Sequence, residues 1–263
     1  MNLDYVKKVF GLEGKNAVVT GGNSGIGRAA AVSLASMGAD VSIIGRDRQT
    51  LDETVAELKG INPACAGSCV DISNKSEVEE YFNAYRRDNA GRIDILVANA
   101  GVCKTLHAMD TTEEDIDYFF NINYKGTLYC CQQAAAAMKK QMSGNIIIVS
   151  SVNALYPYPK EAAYSSSKGA QEVLMRCLAV DLAPFNIRVN SVAPGAILTK
   201  IMRHEEFFDM DFDFDKAWPE LPLGRIGEPE DIGEAIACLA SDAFRYMTGA
   251  TILIDGGLML RNV

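Results

Sequence analysis

Seven short apolar runs punctuate this chain, and longer stretches with helical spacing of apolar residues lie between them. The runs fall at residues 16–20, 41–44, 64–70, 93–98, 145–150, 188–192 and 251–254. Several are apolar throughout rather than alternating, which is the pattern of parallel strands covered on both faces. Residues 27–37, 51–59, 75–88, 113–140, 162–184 and 230–240 carry the three-to-four spacing and read as helices. Strict alternation of the two types predicts right-handed βαβ crossovers and an α/β fold with a doubly wound parallel sheet. A ligand is then expected at the carboxyl ends of the strands. One segment, 199–225, breaks the alternation: it has no clear strand and many aromatic residues, and reads as an insertion lying over the site. At 263 residues the whole chain, 1–263, is accounted for by one large domain.

The first predicted strand runs into Thr20-Gly21-Gly22-Asn23-Ser24-Gly25-Ile26-Gly27 and then directly into a helix. Glycines there permit a tight turn, let backbone N–H groups approach a pyrophosphate and let the helix pack on the strand. The Gly-x-x-x-Gly-x-Gly spacing differs from the commoner dinucleotide fingerprint, but its place after a strand and before a helix points to cofactor binding. The second strand ends Ile43-Ile44-Gly45-Arg46-Asp47. An acid at this strand end takes the ribose hydroxyls of NAD, whereas an arginine accommodates a 2′-phosphate. Gly45 stands where the acid is expected and Arg46 follows, which favours NADP(H) over NAD(H). The alternative is that Arg46 is a surface arginine and Asp47 accepts the ribose.

Tyr164 and Lys168 stand four residues apart, thirteen residues after Ser151. On a helix, positions i and i+4 share a face. A second Tyr-x-x-x-Lys, Tyr156 to Lys160, contains Pro157 and Pro159 and cannot be continuous helix. Only the Tyr164 copy lies in a proline-free run of helix formers. A tyrosine titrates near pH ~10, and lowering that by two units takes about 2.7 kcal/mol. One ammonium at ~4 Å in a medium of intermediate dielectric supplies energy of that order. Lys168 is therefore the candidate that makes Tyr164 a usable acid/base, with Ser151 hydrogen-bonding the reacting oxygen. By itself the pair equally describes a half-buried tyrosine and a solvated lysine.

The net charge of −9 argues against nucleic acid or an anionic membrane as the main partner. Neither a signal-peptide pattern nor an apolar run of spanning length is present, so a cytoplasmic protein is expected. Seven cysteines without framework spacing read as reduced thiols. Cys65 and Cys69 lack companion ligands, since the chain has only two histidines, so no metal site is expected. Cys103, two residues beyond the Asn-Ala-Gly segment, is the thiol nearest the predicted chemistry.

Taken together these segments resemble the classical short-chain dehydrogenase/reductase family over nearly the whole chain. The matching pieces are the 20–27 turn, Val97-Ala98-Asn99-Ala100-Gly101, Asn123 in Asn-Ile-Asn-Tyr-Lys-Gly, Ser151, Tyr164-Ser-Ser-Ser-Lys168 and Pro194-Gly195. The resemblance implies one Rossmann-like domain with a seven-stranded parallel sheet, assembled as a homo-tetramer or homo-dimer. It implies a tetrad of Asn123, Ser151, Tyr164 and Lys168. In that scheme Tyr164 exchanges the proton, Ser151 holds the substrate oxygen, Lys168 binds the nicotinamide ribose and lowers the tyrosine pKa, and Asn123 supports a water on the proton path. By the same carry-over, Gly21, Asn23, Ser24, Gly25, Ile26 and Gly27 hold the cofactor. Asp71 meets the adenine, Asn99 lines the cofactor, and Ile197 and Thr199 sit by the carboxamide. Ile72, Ala100, Gly101, Pro194 and Gly195 are further cofactor-binding residues on the same resemblance. The basic residue that some NADP-dependent members carry in the glycine turn is absent, which leaves phosphate recognition mostly to Arg46.

The reaction class expected is hydride exchange between nicotinamide and a small-molecule secondary alcohol or ketone. Residues 205–215 alternate Asp209, Asp211, Asp213 and Asp215 with Met210, Phe212 and Phe214, as an extended lid with one acidic and one apolar face does. Its apolar face either covers substrate or serves oligomer contacts. Tyr156 and Tyr158 are pocket candidates or plain loop packing. Family members that reduce acyl groups on acyl carrier protein dock that partner on basic residues, and 178–185 has none. A keto-sugar or polyol substrate is favoured. A bile-acid-like hydroxysteroid, a 3-oxoacyl group, or a non-catalytic NADP(H) sensor are the alternatives.

Overall fold

The parallel sheet is built from short strands whose every second residue faces the opposite layer of helices. The computed structural model describes residues 2–199 and 221–262. Its strands are β1 (Asn16–Thr20), β2 (Asp40–Gly45), β3 (Ala66–Cys69), β4 (Ile95–Ala98), β5 (Gly144–Val149), β6 (Ile187–Pro194) and β7 (Thr251–Ile254). All pair in parallel, in the order β3-β2-β1-β4-β5-β6-β7. The helices are α1 (Leu3–Phe10), α2 (Gly25–Ser36), α3 (Arg48–Ile61), α4 (Lys75–Asp88), α5 (Glu113–Phe119), α6 (Thr127–Gln141), α7 (Ala162–Leu182) and α8 (Pro229–Ala240).

Period-two alternation divides each strand between two cores. Val18, Ile44, Leu96, Ile146 and Ile148 point to the layer of α4, α6 and α7, where Phe82, Cys130, Met138 and Met175 meet them. Ala17, Val19, Ile43, Ile95, Val97 and Ile147 point to the layer of α2, α3 and α8, against Leu34, Leu58, Ile232 and Ile236. Since both faces are covered, the strands are apolar throughout, and each fully buried Val, Leu or Ile contributes roughly 1.5–3 kcal/mol. Small residues set the closest approach: a Cβ on Gly233 of α8 would stand 2.5 Å from the Ala29 backbone of α2.

Register decides where the site lies. Thr20 pairs with both Ile44 and Ala98, so β1, β2 and β4 end level with one another. The chain leaves β1 toward β2 on one side and enters β4 on the other, and the loops diverge there. That switch point opens a crevice at the carboxyl edge.

Two predicted elements differ, and one helix is additional. The edge strand β3 covers 66–69 rather than 64–70; its burial is poor, and only one neighbour holds it. The single helix expected over 113–140 is interrupted by a π-helical segment, Phe120–Gly126, between α5 and α6. Helix α1 was not expected; the Asn2 side chain caps it by accepting from the Tyr5 N–H at 3.1 Å, and none of its side chains is buried. Of the 199–225 insertion, residues 200–220 lie outside the described residues, including the alternating acidic and aromatic stretch at 205–215. Among the described residues no helix is long and apolar enough to cross a membrane.

Candidate active site

The two turns flanking the switch point are bolted together by side chains. Thr20 Oγ1 accepts the N–H groups of Asn99 (3.0 Å) and Ala100 (2.9 Å). Asn99 Nδ2 donates back to the carbonyls of Thr20 (3.0 Å) and Gly21 (3.2 Å). Gly21 has φ +62°, and a Cβ there would crowd Asn99 and Ala100 at 3.0 Å. A Cβ on Gly27 would collide with the Gly21 carbonyl. Ser24 precedes α2 without capping it, which leaves the positive end of the helix for an anion. Ile26 packs on the core beneath, and the Thr199 methyl lies 3.2 Å from where a Cβ on Gly25 would stand. This cradle of open amides and missing side chains fits a dinucleotide pyrophosphate.

At the end of β2, Asn23 Nδ2 donates to Thr50 Oγ1 at 2.8 Å, and the Asn23 carboxamide fills the space that any Gly45 side chain would need. Asp47 caps α3 by accepting the Thr50 N–H at 3.0 Å. Arg46 is largely exposed, with Nη1 3.6 Å from the Asp71 carboxylate. Asp71 Oδ1 also accepts the Ser73 N–H and hydroxyl, at 2.9 and 2.7 Å. Burial raises its pKa, but the Ser73 bonds and the Arg46 charge outweigh this and hold the carboxyl below its usual range. Ile72 is buried against Gly126, where a Cβ would come within 2.7 Å of its Cδ1. Pro194 ends β6, the Gly195 N–H donates to the Ile254 carbonyl at 3.0 Å, and Ile197 is buried beyond it.

Asn123, Ser151, Tyr164 and Lys168 converge on the other side of the crevice. Lys168 is 4% exposed, and its Nζ donates to the Val149 carbonyl at 2.9 Å. A Cβ on Gly101 would lie 3.5 Å from that Nζ and 3.1 Å from Asn123 Oδ1, so glycine leaves both groups accessible from the cofactor loop. Ser151 lies near enough to the Tyr164 phenol to oppose the rise in its pKa, and Ser151 Oγ accepts the Asn153 N–H at 3.1 Å. Lys168 Nζ stands 5.9 Å from the Tyr164 ring centroid. Asn123 is fully buried in the π-helical segment: it accepts the Val102 N–H at 2.8 Å and donates to the Val102 carbonyl at 3.0 Å. It also donates to Ser167 Oγ at 2.9 Å, and Ser167 Oγ donates to the Tyr164 carbonyl at 2.7 Å.

Electrostatically the phenol departs from the sequence expectation. Burial pushes the Tyr164 pKa up, Cys103 and Glu161 add to the rise, and the Ser151 hydrogen bond opposes it. Lys168 does not offset the burial, because its ammonium is directed at the Val149 carbonyl rather than at the phenol oxygen. Burial brings Lys168 itself down to about 8, while Cys103 and Glu172 pull it back up. Cys103 is likewise raised by burial. The second Tyr-x-x-x-Lys is excluded by geometry: Lys160 has φ +65° in a turn, and Tyr156 is exposed. Among the described residues no cluster of His, Cys, Asp and Glu could hold a metal ion.

Sequence reasoning missed the supporting residues Thr20, Ser167, Gln171, Asn153 and Glu161. Gln171 Nε2 donates to the Asn123 carbonyl at 2.6 Å and to Thr127 Oγ1 at 2.8 Å. Glu161 accepts a hydrogen bond from Asn153 Nδ2. The available signal was spacing, since Asn153 follows Ser151 by two, Glu161 precedes Tyr164 by three, and Gln171 follows Lys168 by three.

Comparison with known proteins agrees with this geometry. The family described as Enoyl-(Acyl carrier protein) reductase matches residues 21–259. The L-rhamnose 1-dehydrogenase (NAD(P)(+)) of a Sphingomonas strain is 35% identical over 249 residues, 94% of this chain and 97% of that protein. The 3-oxoacyl-[acyl-carrier-protein] reductase of Thermotoga maritima is 36% identical, covering 95% of this chain and 99% of that one. The solved L-sorbose reductase of Gluconobacter frateurii, in complex with NADPH and L-sorbose, superposes with a TM-score of 0.87. It is 27% identical and covers 95% of this chain and 98% of that one. A doubly wound sheet, a glycine-rich cradle at its switch point, and oxidoreductase relatives acting on alcohol and keto groups lead to one assignment: the chain belongs to the short-chain dehydrogenase/reductase family.

Proposed function

We propose that this protein is an NADP(H)-dependent oxidoreductase that interconverts a secondary alcohol and a ketone, with a keto-sugar or polyol as its substrate. The observation that carries the reaction is the half-buried Tyr164 set beside Ser151 and one helical turn from Lys168, whose buried Nζ is held by the Val149 carbonyl. The dinucleotide supplies or accepts the hydride. Tyr164 then gives its phenolic proton to the carbonyl oxygen in the reducing direction, while the Ser151 hydroxyl bonds the same oxygen and fixes the carbonyl in place. Lys168 would hold the nicotinamide ribose, from a position where its Nζ is anchored by the Val149 carbonyl. Asn123 keeps α7 in register through Ser167 and keeps the Val102 loop against the site.

The cradle at Gly21–Gly27 would hold the pyrophosphate, Asp71 and Ile72 the adenine, and Asn99, Ala100 and Gly101 the centre. Pro194, Gly195, Ile197 and Thr199 would flank the nicotinamide. Preference for NADP(H) is supported by Arg46, by a Gly45 position with no space for an acid, and by an Asp47 engaged as a helix cap. The sugar or polyol class is supported by relatives described as rhamnose dehydrogenase and sorbose reductase. We place the enzyme in the cytoplasm as a homo-dimer or homo-tetramer, with the exposed Val173 and Val180 of α7 as contact residues. The test is steady-state loss of NADPH absorbance with a panel of ketoses, cyclic ketones and acyl thioesters. The parent is expected to turn over with ketoses, and Tyr164→Phe to lower kcat by about 10²–10⁴, the worth of a positioned acid/base. Tight NADPH binding without turnover across the panel returns the protein to a sensor role.

A further inference from the structure

Glu172 is a buried carboxylate that the reaction above does not use. It lies on α7 one helical turn beyond Lys168, and the two residues, 2% and 4% exposed, share the face turned to the sheet. Two hydroxyls hold it: Ser191 Oγ of β6 donates to Oε1 at 2.8 Å, and Thr251 Oγ1 of β7 donates to Oε2 at 2.5 Å. Sheet register brings the two charges together. Lys168 Nζ donates to the carbonyl of Val149, whose partner on β6 is Val192, and Ser191 is the residue before it. Ammonium and carboxylate are thus anchored to adjoining positions on neighbouring strands, which run about 4.8 Å apart.

Joining α7 to the sheet needs no charge. A glutamine would accept from one hydroxyl and donate to the other, whereas a buried carboxylate is destabilising unless a cation offsets it. Arg176 Nη1 stands 3.7 Å from Oε2, but that side chain is half exposed and its charge is screened by water. Lys168 is buried, and the Val149 carbonyl that it bonds is neutral. The other groups around the ammonium do not balance it. Asn123 of the π-helical segment and Ser151 beyond β5 carry no charge, and burial raises the Tyr164 phenol of α7. Glu161, just before α7, is bonded to Asn153. Burial drives Lys168 down, while Cys103 and Glu172 act upward, leaving it at about 8. Cys103, from the β4 loop, acts only as a thiolate, and burial holds that thiol protonated. Glu172 is what remains. We propose that Glu172 is a positioning residue: a buried counter-charge, braced by β6 and β7, that keeps Lys168 charged where it meets the nicotinamide ribose. This rests on the oxidoreductase reading above and adds a residue to it.

The experiment titrates Lys168 directly, by 13Cε NMR of lysine-labelled protein, with its resonance assigned by its loss in Lys168→Met. The parent, Glu172→Gln and Ser191→Ala are compared, and kcat/KM with NADPH and a ketone is followed over the same pH range. Thermal melts check that each variant is folded. The ammonium is present below its midpoint and lost as pH rises through it, so removing a negative neighbour moves that loss to lower pH. Glu172→Gln is expected to lower the Lys168 midpoint by about 1 unit, the effect of one charge at roughly 6 Å in a medium of intermediate dielectric. The alkaline fall of kcat/KM should move with it, so that the ratio of parent to variant grows roughly fivefold from pH 7 to pH 9. Ser191→Ala loosens the brace and keeps the charge, and should lower Tm while leaving the midpoint near the parent's. A midpoint unmoved or raised in folded Glu172→Gln reduces the carboxylate to a brace and overturns the proposal. In the parent alone, a midpoint as low as about 5–6, that of a buried lysine with no counter-charge, overturns it as well. So does a moved midpoint with an unmoved kcat/KM profile. A moved midpoint in a parent that binds NADPH but turns over no ketone upholds the counter-charge and overturns the oxidoreductase reading instead.

Discussion

Three adjacent residues at the end of β2 support the proposed preference for NADP(H) over NAD(H). Gly45 cannot be exchanged for an acid without displacing Asn23, whose carboxamide is tied to Thr50 and fills that space. Asp47 is next in line, but its carboxylate caps α3, so drawing it toward a ribose would uncap the helix. Arg46 is left as the group able to meet a phosphate, and its present partner is the Asp71 carboxylate at 3.6 Å. That contact is weak and exposed, and a phosphate with its greater charge can replace it. Arg46→Ala is therefore expected to raise KM for NADPH roughly 10–100-fold, the worth of a hydrogen bond to a charged group, with little effect on KM for NADH. The check is initial-rate kinetics with each cofactor at a saturating ketone. Equal losses with both cofactors would assign Arg46 to the fold of the adenine pocket instead.

At the scale of elements, what the sequence discloses depends on whether a residue's environment repeats. Strands β1, β2, β4, β5 and β6 were legible because both of their faces meet helices, which writes an unbroken apolar run. Edge strand β3 wrote a weaker signal, and its ends shifted. Helix α1 carries Leu3, Val6 and Phe10 at helical spacing, but its eight residues are too few for periodicity alone to mark a helix, and it buries none of them. The Tyr164–Lys168 pairing on one face of α7 was legible because its spacing is a helical turn, with prolines eliminating the second copy. The π-helical segment was not, because residues 113–140 contain no proline and keep helical periodicity throughout. Its cause lies elsewhere in the chain: the Val102 backbone and Gln171 engage Asn123 from the β4 loop and from α7. Such long-range hydrogen bonds hold Asn123, a proposed site residue, on a widened turn, and π-bulges are frequent at functional sites. Gln171 is fully buried, and a polar residue on a helix reads by default as solvated. Gln171→Met keeps the volume and removes both donated bonds, stranding the Asn123 carbonyl and Thr127 hydroxyl. A loss of about 1–3 kcal/mol in stability is expected from those unsatisfied groups. As the segment also fixes Asn123, kcat should fall more than KM rises. Denaturant melts and steady-state kinetics on the same preparation check both, and a stability loss with kcat unchanged would confine Gln171 to folding.

For the molecule as a whole, the crevice is only as well shaped as the layers beneath it. The cradle at Gly21–Gly27 is the leading end of α2, and α2 is positioned from below by α8. There the Gly233 backbone passes so close to Ala29 that a Cβ would come within 2.5 Å of it. The obstruction is backbone on both helices, so no rotamer change relieves it, and a larger residue must push α2 along or away from the sheet. Arg28, one residue into the helix beyond Gly27, is held by Glu57 of α3 at 2.8 Å, so that displacement would reach the third helix of the layer as well. Gly233→Val is thus expected to act on the site through Ala29, two residues beyond Gly27 in α2. Overpacking of this kind costs about 1–3 kcal/mol, which for a domain of this size corresponds to a fall of roughly 2–12 °C in Tm. NADPH should bind several-fold more weakly, although residue 233 touches none of the proposed cofactor positions. Binding titration by NADPH fluorescence, alongside melts with and without the dinucleotide, separates the two effects. Ligand that binds only the native fold restores stability by mass action, and the restored amount at fixed NADPH should be smaller in the variant if the cradle has moved. A lower Tm with NADPH affinity equal to the parent's would show instead that the β1–α2 turn is fixed from above, by Thr20 and Asn99, independently of how the helix layer packs.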